Sequence, residues 1–278
     1  KVFEFFENKN NFVFILPVLW KAKMGKIDIK LEEKTGFVIY GAKAVFFGGK
    51  GLAGLFKGWM PATAVLLPYM RIKYRSRVLY SCSEPNLLTT LFNGIMAKLC
   101  GMKYVIFTWQ NVPPERRMGG LKLKLSDAFV GLNLRFIEGV ICGNQKAQKI
   151  ITNYQFPIAR TIICPLSGVD TEKFRPGIIS NWRERLNVKP NDKLILFYGD
   201  LDKRKGLSIL IDAFQILNAR YDMLNIKLII AGIGPELENL KLQTTNYKLQ
   251  TEIIFLDWLP NDQLPALLNV ADVFVYPS

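Results

Sequence analysis

The sequence predicts an α/β protein with two parallel, doubly wound sheets, and three observations carry that reading. Short apolar strands alternate with segments of helical apolar spacing along the chain. Two of the strands, Leu194–Tyr198 and Lys227–Ala231, run straight into glycines that open the next helix. The length, 278 residues, suits two domains that each bury a core.

Taken in order, Phe12–Leu19 reads as a buried strand and Phe37–Phe47 as one or two more, rich in β-branched and aromatic residues. Val78–Cys82 is a further strand. Leu87–Leu99 has helical spacing and is closed by Gly101. Lys103–Thr108 is a strand, Leu121–Phe136 a helix, and Gly139–Cys142 a strand that enters a helix from about Asn144. Thr161–Cys164 is a short strand. A turn-rich linker from Pro165 to about Gly177 then separates a domain at 1–170 from one at 176–278.

In the second domain the helix from Leu207 is predicted to bury Ile209, Leu210, Ala213, Phe214 and Leu217. Glu252–Leu256 is a strand, Asn261-Asp262 supplies a cap for the next helix, and Val273–Tyr276 is the last strand. Four strands are about half of what a doubly wound nucleotide-binding domain generally holds, so the second domain reads as incomplete. The first strand of the first domain is expected to be missing too.

Charge is distributed unevenly. Residues 1–175 hold 26 Lys and Arg against 11 Asp and Glu, whereas 176–278 hold 11 against 12. No acidic residue stands between Glu33 and Glu84, where Lys34, Lys43, Lys50, Lys57, Arg71, Lys73, Arg75 and Arg77 mix with Phe46, Phe47, Leu52, Leu55, Phe56, Trp59, Leu66, Leu67, Tyr69 and Met70. That mixture fits a surface lying on an anionic membrane; a core helix with solvated lysines is the alternative. The longest uncharged run there, Gly58–Met70, is 13 residues with two prolines, too short to span a bilayer. No nucleic-acid-reading module accompanies the charge, so nucleic acid is not expected as a partner.

The four cysteines form no close pair and the chain has no histidine, which argues against a disulfide framework or a zinc site and for reduced thiols in the cytoplasm. Without histidine, acid–base work falls to carboxylates, lysine, arginine, amides or the substrate itself.

Two motifs invite a phosphate reading. Gly49-x-Gly51-x-x-Gly54 has the letters of a dinucleotide fingerprint, but no acidic residue lies about twenty positions on, and no Ser or Thr follows Lys50 for a phosphate loop. Gly199-Asp200-Leu201-Asp202-Lys203-Arg204-Lys205-Gly206 is more specific: cations crowd a turn between strand and helix, where a diphosphate would sit. Gly232-Ile233-Gly234-Pro235-Glu236 repeats the arrangement at the next strand end.

Gly168–Pro176, Gly199–Phe214, Gly232–Glu236, Phe255–Pro260, Leu264–Leu268 and Ala271–Ser278 resemble, in order and spacing, the group 1 (family 4) retaining glycosyltransferases. Phe107–Asn111 and Glu138–Asn144 are similar to acceptor-domain segments of one branch of that family. The resemblance implies a GT-B architecture, two Rossmann-like domains whose parallel sheets face across a cleft. It implies a nucleotide-diphospho-sugar donor on the second domain, bound by Gly199, Arg204, Lys205, Gly232, Gly234 and Leu259. Gly168 and Asp170 fall in the interdomain and sugar loop, and Lys205 and Gln110 are the implied catalytic positions. Neither a metal nor a cofactor is implied. The acceptor is expected to be a lipid-linked or cell-surface glycan, and the protein is expected in the cytoplasm, peripheral on the inner face of the cell membrane.

This chain departs from the family at several of these places. Asp200 stands where an arginine is usual, and a carboxylate 4 Å from a diphosphate would cost about 4 kcal/mol at an effective dielectric of 20. Asp200 is therefore expected to turn towards Lys203 or Arg204, with Arg204 as the substitute cation. Asp257 replaces a glycine near the nucleobase, Ser167 replaces an asparagine, and Gln110 lies about where a histidine is usual. The family's glutamate pair is expected just past Ser278. With no convincing nucleophile in the chain, front-face substitution is the expected route. A sugar-nucleotide epimerase of the same fold and a non-catalytic degenerate binding protein are the alternatives.

Overall fold

The computed structural model describes residues 11–22, 25–28, 37–45, 52–113, 115, 120–165, 168–221 and 225–277. Lys34, Phe46, Phe47, Gly49, Lys50, Gly51, Ser167 and Ser278 lie outside them, and with them the first two glycines of the dinucleotide-like letters, the third, Gly54, being described. The chain divides into two compact units between Gly168 and Val169.

The first unit opens with β1 (Val13–Pro17), β2 (Leu19–Ala22), β3 (Gly25–Asp28) and β4 (Val38–Ala42). β1 pairs parallel with β4, and β2 pairs antiparallel with β3. The single strand expected over Phe12–Leu19 is thus two. The β1–β4 pairing closes with the Val18 N–H donating to the Ala42 carbonyl at 3.0 Å, and the chain then pairs β2 with β3 as a hairpin. The strand expected up to Phe47 ends at Ala42; among the described residues beyond it only Val45 is bridged, to Trp59.

The helices α1 (Leu52–Leu55) and α2 (Thr63–Lys73) follow, then β5 (Val78–Ser81), α3 (Leu88–Leu99), β6 (Lys103–Thr108), α4 (Gly120–Leu134), β7 (Gly139–Cys142), α5 (Gln145–Asn153) and β8 (Thr161–Ile163). β5 to β8 form a parallel sheet in chain order. Asn144 caps α5 as expected, its side-chain oxygen accepting the Ala147 N–H at 2.9 Å. Tyr104, Ile106, Val140 and Cys142 of the sheet pack with Val130, Leu134 and Ile151 of the helices.

The second unit holds α6 (Trp182–Arg185), β9 (Lys193–Tyr198), α7 (Leu207–Arg220), β10 (Ile226–Ala231), α8 (Leu237–Asn246), β11 (Ile253–Leu256), α9 (Leu264–Val270) and β12 (Val273–Phe274). The parallel order β11-β10-β9-β12 places β9 and β10 in the middle. Leu194, Leu196, Ile229 and Ala231 pack on one face with Trp182 and Leu267. Phe197, Leu228 and Ile230 pack on the other with Ile211, Phe214 and Leu240. Both faces are covered, which is why these strands read as unbroken apolar runs.

Three expectations need correction. α7 buries Leu207, Leu210, Ile211 and Phe214, while Ile209 is 70% exposed and Ala213 is also exposed. The apolar stripe starts at Leu207 and is rotated by a residue, because α7 begins at Leu207 immediately after the left-handed Gly206. Asn261 and Asp262 do not cap α9; the carbonyl of Pro260 instead accepts the N–H groups of Gln263 and Leu264 at 3.0 and 3.3 Å, closing that turn through the backbone. The last strand stops at Phe274 rather than Tyr276, whose ring is drawn onto Phe197.

Candidate functional site

The carboxyl edge of the second sheet gathers the loops that follow β9, β10, β11 and β12. The first two are zipped together by the backbone. Gly199 donates to Ala231 at 3.0 Å, Leu201 to Ile233 at 3.0 Å, and Glu236 to Leu201 at 3.1 Å, so the ladder continues past the strand ends. A Cβ at Gly232, where φ is +149°, would run into the Gly199 carbonyl oxygen and sit 3.0 Å from its carbonyl carbon. A Cβ at Gly234 would strike the Leu201 carbonyl oxygen and lie 2.7 Å from both its carbon and its nitrogen. The sequence reading gave these glycines to a ligand. In the structure the neighbouring loop takes the space their missing side chains leave.

The cationic turn is a short 3₁₀ segment, Lys203–Lys205. Asp202 caps it, accepting the Arg204 N–H at 2.9 Å, and its other oxygen accepts from the Arg204 guanidinium at 2.8 Å. That hydrogen bond, with the charges of Asp202 and then Asp200, pushes the guanidinium further above its ordinary value. Arg204's ion-pair partner is therefore Asp202. The expectation that Asp200 would pair with Lys203 or Arg204 holds only as a longer-range attraction.

Lys205 donates through Nζ to the Tyr276 hydroxyl and stands 4.5 Å from the centroid of the same ring. Tyr276 in turn stacks on Phe197 at 5.6 Å with the rings 7° apart. Pro277 lies over Gly206, where an added Cβ would meet Pro277 Cβ at 3.0 Å. Gly206, with φ +65°, hands the chain to α7, whose first-turn N–H groups and positive end face the same edge. Leu259 sits on the loop after β11, where its carbonyl accepts from the Tyr198 hydroxyl at 3.0 Å. Burial pushes the Tyr198 phenol up.

The residues assigned to the interdomain loop behave differently. Gly168 ends the first unit. Asp170 opens its own turn, its Oδ1 accepting from the N–H groups of Glu172 and Lys173 at 3.1 Å each. Gln110 belongs to the first unit, just past β6, and is 8% exposed, its N–H bonded to Thr108 Oγ1 at 3.1 Å. Gly199, Arg204, Lys205, Gly232, Gly234 and Leu259 are thus brought to one sheet edge, with Gln110 on the edge of the other sheet.

Sequence reasoning missed Tyr276, Asp202 and Glu84. Tyr276 was visible as the aromatic just beyond the last strand, and Asp202 as the acid two residues before Arg204. Glu84 ends the acid-free stretch at the exit of β5, and its carboxylate accepts Thr108 Oγ1–H at 2.5 Å and the Trp109 N–H at 3.3 Å.

Comparison with known proteins agrees with the resemblance. Residues 178–278 match the family model of the group 1 glycosyl transferases. The chain is 26% identical over 150 residues to alpha-monoglucosyldiacylglycerol synthase of Streptococcus pneumoniae, covering 52% of this chain and 33% of the relative. It is 32% identical over 111 residues to the GDP-mannose-dependent alpha-(1-6)-phosphatidylinositol monomannoside mannosyltransferase of Mycolicibacterium smegmatis, covering 40% of this chain and 28% of the relative. Among solved structures, HepE of Anabaena in complex with UDP aligns with a TM-score of 0.65 at 19% identity, over 88% of this chain and 62% of that one. The chain therefore spans less than two thirds of these relatives. The structural likeness shows the fold alone: α/β with parallel sheets, of the GT-B class.

Proposed function

We propose, from a chain whose residues 178–278 match the family model of the group 1 glycosyl transferases, that the complete protein moves a sugar from a nucleotide-diphospho-sugar to a lipid-linked or glycan acceptor with retention of configuration. The observation that carries the proposal is the convergence of Lys205, Tyr276 and the start of α7 on one sheet edge. An ammonium has three donors; Tyr276 takes one and two are left for phosphate oxygens. The α7 amides and the helix dipole add positive potential without a counterion to remove.

The reaction proceeds on one face of the sugar. The acceptor oxygen forms its bond to the anomeric carbon as the bond from that carbon to the diphosphate breaks. The departing phosphate oxygen takes the acceptor's proton. Lys205 and the helix amides stabilise the charge that grows on the diphosphate, and no metal ion is required for that role. Analogy with HepE, solved in complex with UDP, supports a nucleoside diphosphate as the bound part of the donor.

The acceptor side is proposed to meet an anionic membrane through α2. Val65, Tyr69 and Ile72 recur at i, i+4 and i+7 and are 73%, 40% and 81% exposed, with Arg71, Lys73 and Arg75 beside them. Relatives named for diacylglycerol and phosphatidylinositol glycosides support a lipid acceptor.

The test is product analysis of the complete protein with UDP- and GDP-sugars, with and without lipid extract. Transfer that falls sharply in Lys205→Ala supports the reading. Isomerised sugar nucleotide formed without any acceptor would replace transfer with epimerisation, and absence of nucleotide binding would leave a degenerate binding protein.

A further inference from the structure

We infer that Trp109 is a stacking platform for a neutral pyranose ring, set at the carboxyl edge of the first unit's sheet. That the ring belongs to the acceptor rests on the transfer reading above; the platform itself rests on its geometry.

The indole is seated flat on backbone. A Cβ at Gly143 would collide with Trp109 Cε3 and lie 2.7 and 2.8 Å from Cζ3 and Cδ2, so the six-membered ring rests directly on the glycine. Phe107 meets it edge-on at 5.4 Å and 75°. With one face covered in this way, Trp109 is still 44% exposed, whereas Trp182 of the second unit's core is 4% exposed. An aromatic ring with one face seated on backbone and the rest half in water offers its other face for stacking.

The support is rigid. Glu84 holds the Thr108 hydroxyl and the Trp109 N–H, and Thr90 Oγ1 donates to the Glu84 carbonyl at 2.7 Å. The fully buried Asn133 of α4 donates to the carbonyls of Pro85 and Leu87 at 2.6 and 3.0 Å. Side chains of α3 and α4 thus fix the loop that carries Glu84, and Glu84 fixes the backbone from which the ring projects.

The chemistry of the surroundings selects the ligand. Thr108–Pro113 carries a hydroxyl, two amides and no charge. Within Thr108–Pro113 a phosphate ester or an anionic head group would find no cation, and the Glu84 carboxylate bonded to the Trp109 backbone N–H would repel it. The axial-hydrogen face of a pyranose presents polarised C–H groups that suit the negative face of an indole, and its rim hydroxyls suit amides.

The experiment follows the tryptophan indole N–H signals of the complete protein by nuclear magnetic resonance. Trp109→Phe identifies the Trp109 signal. The probes are methyl glucopyranoside, methyl mannopyranoside and maltose, with UDP and GDP titrated separately. The expected result is a saturable shift of the Trp109 signal with at least one saccharide and none with either nucleotide. Trp109→Ala should weaken saccharide binding at least tenfold and Trp109→Phe no more than about threefold, with nucleotide binding the same in all. A Trp109 signal that no saccharide moves, or that UDP or GDP moves equally, overturns the inference. So does undiminished saccharide binding in Trp109→Ala. Saccharide binding at Trp109 in a protein that ignores nucleotides would instead overturn the donor reading and leave this one standing.

Discussion

The Lys205 ammonium donates to the Tyr276 hydroxyl, joining the cationic turn after β9 to the segment after β12 across 71 positions of sequence. The phenol orients the lysine, and its ring, stacked on Phe197, gives the ammonium a second, electrostatic contact. Lys205 therefore reaches the sheet edge already aimed, with donors to spare.

Removing that ammonium should be far costlier than removing the hydroxyl that aims it. A hydrogen bond to a charged group contributes about 1.5–3 kcal/mol, so Lys205→Ala should weaken nucleotide-diphosphate binding about 10- to 150-fold. Tyr276→Phe keeps the ring stack and should weaken it about fivefold or less. Calorimetric titration with UDP and GDP would decide, and equal losses in the two variants would show that the hydroxyl, rather than the lysine, carries the contact.

Gly232→Ala should destabilise the second unit by about 2–4 kcal/mol, because a methyl cannot share space with the Gly199 carbonyl and φ is +149°. Gly234→Ala should act similarly through Leu201. Gly168→Ala, whose Cβ would meet nothing within 4 Å, is the control. Urea unfolding measures all three, and a neutral Gly232→Ala would mean that the two loops are not zipped as described.

The alternation of strands and helices, the central strands β6, β7, β9 and β10, and the glycine turns were legible in the sequence because they depend on local periodicity and on backbone requirements at single positions. Ile209 was misplaced because the apolar residues around it satisfy two adjacent stripes, and only the left-handed Gly206 chooses between them. Pairings such as Lys205 with Tyr276, or Glu84 with Thr108 across 24 positions, leave no periodic trace. They are set by which strands lie side by side. The preference of Arg204 for Asp202 over Asp200 was equally hidden, since both acids are near and the 3₁₀ turn decides.

Cys142 should resist alkylation in the folded protein. It is fully buried, and burial pushes its thiol up to about 11, so at pH 8 only about a thousandth is thiolate. Cys82 and Cys164 are exposed. Iodoacetamide at pH 8 followed by peptide mass spectrometry should modify those two within minutes and Cys142 only after denaturant. Rapid labelling of Cys142 would mean that the first core opens.

Binding of the protein to vesicles should require both charge and the apolar stripe of α2. Each basic residue near an anionic surface contributes about 1 kcal/mol at moderate salt, an attraction that shortens as the Debye length falls. Sedimentation with phosphatidylglycerol vesicles should show binding that fades with added salt, and phosphatidylcholine vesicles should show little. Ile72→Ser should weaken the anionic binding without unfolding the protein, because Ile72 is 81% exposed. Binding indifferent to lipid charge would place α2 elsewhere.

Asp272 should make stability depend on pH in acid. Burial pushes its carboxyl up, but the Leu194 N–H at 2.8 Å, Lys193 at 3.0 Å and Arg183 at 3.6 Å outweigh that and hold it below the ordinary carboxylate range. In the unfolded chain it titrates near 4. The folded state thus binds its proton less readily than the unfolded state does. The stabilisation is fully present above about pH 4 and is lost as pH falls through the depressed folded value. Asp272→Asn keeps an acceptor for Leu194 but loses the charge, and should cost about 1–2 kcal/mol at pH 7. Urea unfolding of the two proteins at steps from pH 7 to pH 2.5 should show that gap closing below pH 4. A gap that stays constant through that window would mean that the negative charge of Asp272 does not tie β9 to the end of α9.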